Sequence, residues 1–175
     1  MLTYNHHKAD NALRLLQLAH DQWTYGLKAI QGSKYTEELR DRALRQYGYA
    51  FTMLLLARGL DDMCKTTASY TATRARMVDL LEATRYAANH TVHQLSAVGQ
   101  PIGVITWPLQ WPIEYTVGHM EWVPEGHLPA ASDEKDDAQR RFRARYLELL
   151  AGRDMSPALA QLRWWFEEQV LALGS

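Results

Sequence analysis

The run Leu81-Glu82-Ala83-Thr84-Arg85-Tyr86-Ala87-Ala88-Asn89-His90-Thr91-Val92-His93-Gln94 gathers residue types suited to anion binding and proton transfer. An arginine offers a planar fork of donors to an anion, and a histidine exchanges a proton near neutral pH. On a helix, at about 100° per residue, Asn89 lies about 40° from Arg85, His93 about 80° and His90 about 140°. An unbroken helix therefore puts Arg85, Asn89 and His93 on one face, each four residues apart. His90 joins them only where the helix loosens or a second copy brings its own motif across, so both histidines stand as candidates. Arg85 also falls in the apolar stripe Val78, Leu81, Ala88, Val92 and Leu95, where an unpaired charge is expensive to bury. The plainer account pairs it with Asp61, Asp62 or Glu82. Asn89 and His93 then make ordinary helix-to-helix hydrogen bonds.

Arg85, four intervening residues and His90, with Asn89 between, resemble the signature of the HEPN superfamily of α-helical proteins. The resemblance implies a helical bundle and, in its active form, a metal-independent ribonuclease that dimerises with two motifs at the interface. It implies that a ribose 2′-OH attacks the adjacent phosphate, that His90 moves the proton and that Arg85 steadies the phosphorane charge, while His93, the candidate of helix geometry, lies beyond the family's spacing. Lys65, Arg74 and Arg76 precede the motif and suit guidance of an RNA backbone, an attraction that fades with salt. A looser similarity, to small proteins of actinobacteria and their phages without assigned activity, rests on Trp122, Leu128 and Pro129 and on the Tyr-x4-Ala-Gly-Arg run from Tyr146 to Arg153.

Other groupings carry less. His90 and His93 stand three apart, and His119 and His127 lie further on, a set zinc accepts. No carboxylate completes a helical metal motif and no HExxH occurs, so neither a metal nor another cofactor is expected. Phosphate loops, nucleophile elbows and dinucleotide fingerprints are absent from the sequence. Cys64, the single cysteine, excludes an intramolecular disulfide and reads as a small buried residue. Arg140, Arg141, Arg143 and Arg145 follow an acidic turn and read as a solvated face with internal pairs, or as an RNA- or partner-binding strip. Of Trp164, Trp165 and Phe166 only part can face the core, and an exposed tryptophan there would mark an interface.

The positioning elements follow from periodicity. Ala12, Leu16, Ala19, Trp23, Leu27 and Ile30 predict a helix over 6–31, with Asn5 as cap and Gly32 as stop. Leu39, Ala43, Tyr47, Ala50, Leu54 and Arg58 predict a second over 36–58, ended by Gly59. A third is expected from about 68 to 98. Five of the six prolines and three of the six tryptophans then crowd into 101–129, which excludes a continuous helix. Runs at 102–107 and 113–117 suit two short strands of a hairpin. Helices over 134–151, from Ser132 or Asp133, and 157–172, from Ser156 and Pro157, close the chain. The fold class is mostly α: about five helices in one domain of 175 residues, with an irregular Pro/Trp-rich insert. Apolar residues make up 47% and the net charge is −1, which argues against a nucleic-acid coat or a polybasic membrane binder. No apolar run spans a bilayer and the N-terminus is polar, so a cytoplasmic chain is expected. Its expected partners are RNA, a second copy or another helical protein. A non-catalytic association protein is the competing reading.

Overall fold

Asn5 opens the first helix: its side chain accepts a hydrogen bond from the Lys8 amide at 3.0 Å, satisfying one of the donors a helix start leaves free. The computed structural model describes residues 4–33, 37–94, 99–105, 115–128 and 136–174. Helix α1 (His6–Ile30) buries Ala9, Leu13, Leu16, Ala19, Trp23, Leu27 and Ile30 along one stripe. Gly32, at φ +76°, turns the chain where other residues would be strained. Then come α2 (Glu37–Cys64), α3 (Ala68–Arg74), α4 (Val78–Gln94), β1 (Gly99–Ile105), β2 (Tyr115–Trp122), α5 (Asp137–Leu149) and α6 (Met155–Gly174). Helix α1 packs on α2 and α6, α2 on α4, and α4 on α5. Trp23, Met53, Leu60, Tyr70, Leu81, Trp122 and Phe166 belong to one continuous core. The chain is a mostly α bundle.

Several boundaries differ from the sequence reading, each for a physical reason. Helix α2 runs through Gly59 to Cys64. A glycine inside a helix costs only about 1 kcal/mol, and the extra turns bury Leu60, Asp61 and Cys64 almost completely. The expected third helix is divided at Ala75–Met77 into α3 and α4. The break lets α3 tilt, so that Tyr70 reaches Asp61 at 2.9 Å and Thr73 donates to Gln169 at 2.8 Å. Helix α6 starts at Met155 rather than Pro157, because Asp154, not Ser156, caps it by accepting from the Ser156 amide at 2.8 Å. Asp136 does the same for α5 through the Gln139 amide. Ser132, Asp133, Leu95, Val98, Trp107 and Trp111 lie outside the described residues.

The insert contains a hairpin. Strands β1 and β2 pair antiparallel from Gly99–Trp122 to Ile105–Tyr115, with a bulge between Ile102 and Gly103. Trp122 is buried edge-on against Tyr146, ring centroids 6.4 Å apart, and the Tyr146 hydroxyl donates to the Val123 carbonyl at 2.8 Å. The turn after α5 is stitched to the same strand: Gly152 N–H donates to Trp122 O, and Trp122 N–H to Arg153 O. Gly152, at φ +67°, allows that approach. Among the described residues no helix is long and apolar enough to cross a membrane.

Candidate functional site

Helices α2 and α4 run antiparallel, and a charged cluster sits where they meet. Asp61 lies at its centre, buried on the inward face of α2. Its carboxylate accepts from Tyr70 Oη at 2.9 Å, from Arg74 Nε and Nη2 at 2.7 and 3.0 Å, and from Arg85 Nη2 at 3.2 Å. Lys65 Nζ, one turn further along α2, lies 2.8 Å away. Arg85 also donates to Asp62, and Lys65 Nζ reaches Asp62 at 3.2 Å. Both carboxylate oxygens of Asp61 thus have a charged donor, which a buried charge requires.

The titration of these groups follows from their neighbours. Burial by itself would raise the Asp61 pKa, but the hydrogen bonds from Arg74 and Lys65 outweigh it and hold the carboxyl below the ordinary range. Asp62 is lowered for the same reasons, burial opposing and Arg85 prevailing. Asp61 in return pulls Arg74 upward. Burial, then the Asp61 charge, push the Cys64 thiol up to about 11, which leaves it protonated and unreactive at neutral pH.

Arg85 is 19% exposed and held by two carboxylates. Beside it, a cavity of about 10 Å³ is lined by Leu54, Ala57, Arg58, Asp61, Leu81, Thr84 and Arg85. That volume suits one water at most. One turn along α4, Asn89 accepts from Arg58 at 2.7 Å. His90 and His93 belong to α4, but their side chains lie outside those described. Lys65 and Arg74 are engaged by Asp61. Arg76 stands apart, exposed, in the turn between α3 and α4.

The arginine run of α5 spends its charge on α4. Arg141 meets Glu82 at 3.0 Å and Arg145 meets Asp79 at 2.9 Å, while Arg140 pairs with Asp137 within the helix. Trp165 and Phe166 are buried and Trp164 is 60% exposed, with the Arg163 guanidinium 4.9 Å above its ring. Among the described residues no three histidines, cysteines or carboxylates converge as metal ligands. Sequence reasoning did not single out Arg58 and Tyr70 as members of the cluster. The signal for Arg58 was available: like Arg85, it is an arginine in an apolar stripe. Comparison with protein-family models, with curated proteins and with solved structures returns no match.

Proposed function

We propose that this chain is a non-catalytic helical association protein that acts by binding a second copy of itself. The observation that carries this reading is the closed state of Arg85: two carboxylates hold its guanidinium, and the adjoining space admits a water but not a phosphate. An arginine so neutralised pins helices together. The outward surface points the same way. Trp164 and Leu171 are 60% and 63% exposed, seven residues apart on α6, and Leu15, Leu18 and Tyr25 project from the adjacent α1. Tryptophans in such positions dominate association energies. Sedimentation equilibrium should give a dimer for the native chain, and Trp164→Ser with Leu171→Ser should weaken it about tenfold or more with unchanged circular dichroism. A monomer at about 100 μM, or variants that still associate as tightly, overturns the reading.

A second reading, an RNA-binding protein or metal-independent endoribonuclease of HEPN type, is favoured by one observation. Arg85 and the Arg58–Asn89 pair lie in line along α4, toward the backbone position of His93. On that reading Arg85 and Asn89 act with His90 or His93, and Lys65, Arg74 and Arg76 guide the strand. Single-stranded RNA would then be cut in excess chelator by the native chain and spared by Arg85→Lys, His90→Ala or His93→Ala. Cleavage that stops with chelator, or that persists in all three variants, rejects it.

A further inference from the structure

A second cavity, of about 440 Å³, opens at the start of α4, where the turn after α3 meets the end of α5 and the start of α6. Its volume lies within the range of small-molecule sites. The floor is apolar: Met77, Leu80, Leu150 and Ala158 are all buried. The rim carries two arginines, Arg76 and Arg153, and two aspartates, Asp79 and Asp154.

The four charges are not equivalent. Asp79 is taken by Arg145 at 2.9 Å, and Asp154 accepts the Ser156 amide as the cap of α6. Arg153 uses one nitrogen on the Glu148 carbonyl at 2.8 Å and meets no carboxylate among the described residues. Arg76 likewise meets none, and its guanidinium is exposed to solvent at the mouth. With Asp79 neutralised by Arg145, the rim keeps two cations, Arg76 and Arg153, against the one remaining charge of Asp154, and its balance is positive. The Arg153 backbone is also fixed, because its carbonyl accepts from Trp122 and its amide donates to Leu150. A donor held on a braced turn above an apolar floor is pre-organised, which lowers the entropy lost on binding.

We infer that this cavity binds a small organic anion, a carboxylate or phosphate monoester carried on an apolar body, with Arg76 and Arg153 on the anionic head and the Met77–Leu80–Leu150–Ala158 floor on the body. The inference is independent of the dimer proposal, since neither Trp164 nor Leu171 lines the cavity. Charge complementarity selects the head and the buried floor selects the body.

The test is calorimetric titration with 1-naphthoate, 1-naphthyl phosphate and neutral 1-naphthol. At least one anion should bind at least tenfold more tightly than 1-naphthol, and which of the two is tighter distinguishes a carboxylate ligand from a phosphate one. Arg76→Ala should weaken that anion about tenfold, the loss expected for one charge-assisted hydrogen bond. Arg153→Ala should do the same and Arg153→Lys should restore part of it. Ala158→Phe, which fills the floor, should weaken anion and naphthol alike. Arg14→Ala, far away on α1, should change nothing. Equal binding of naphthol and the anions, no binding of either anion at millimolar concentration, or unchanged affinity in both arginine-to-alanine variants overturns the inference.

Discussion

Replacing Asp61 by asparagine keeps the shape of the side chain and removes the charge on which the cluster converges. Lys65 and Arg85 would then share the single carboxylate of Asp62, itself 38% exposed, and Arg74 would lose the carboxylate that holds it, so two of the three cations, Lys65 and Arg74, would lose their main partner. Arg74 and Arg85 are 18% and 19% exposed and have little water to fall back on. Removing one partner of a buried pair costs about 3–5 kcal/mol. In a chain of this length each kcal/mol moves the melting temperature by about 2–4 °C, so Asp61→Asn should lower it by about 6–20 °C. The assay is thermal and urea unfolding followed by circular dichroism, with an unchanged urea slope confirming that the unfolded reference is unaltered. Arg74→Gln added to Asp61→Asn should recover part of the loss, because it removes one of the stranded charges. A single-variant change below about 2 °C, on the same scale, would refute the claim that these charges hold α2 to α4.

The same cluster predicts acid sensitivity. Folded Asp61 and Asp62 titrate below their unfolded values, so their stabilisation is complete above about pH 4 and is lost as pH falls through the folded values. Urea midpoints should therefore drop from pH 6 to pH 3, less steeply in Asp61→Asn. Two glycines should respond with opposite signs. Gly152→Ala forces an alanine to φ +67° and should cost about 1–2 kcal/mol, whereas Gly59→Ala adds a methyl in open space on a helix and should gain about 0.5–1 kcal/mol, both read by urea unfolding. Cys64 should resist Ellman's reagent at pH 8 in the native protein and react fully in denaturant, and rapid native labelling would contradict its burial.

Periodicity carried most of the architecture because helices α1 and α6 bury one stripe each, and a stripe is visible in a linear sequence. Arg85 was legible for the same reason: a charge among Leu81, Ala88 and Val78 must find a carboxylate, and Asp61 and Asp62 were among the few within reach. Lys65 was more legible than the sequence reading made it. It follows Asp61 by four and Asp62 by three, the spacings at which helix neighbours pair. The break after Arg74 had no local mark, since Arg74-Ala75-Arg76 contains neither glycine nor proline. Two side-chain hydrogen bonds accompany it, Tyr70 to Asp61 and Thr73 to Gln169, and the second joins residues 96 apart, beyond any window of sequence. The cavity at Arg76 and Arg153 was hidden likewise, because residues 76 and 153 meet only once α5 and α6 fold back on α4.

The order of charges along α2 acts as a vernier against α4. Arg58 stands opposite Asn89, Asp61 and Asp62 opposite Arg85, and Lys65 a turn beyond, so the series reads plus, minus, plus. Sliding α4 by one helical turn, about 5.4 Å, in one direction would bring Arg85 beside Arg58, and in the other beside Lys65. Either slip exchanges an attraction for a repulsion in a poorly solvated place. These two helices therefore have one permitted alignment, and shear between them, a common way for packed helices to switch state, is closed to this bundle.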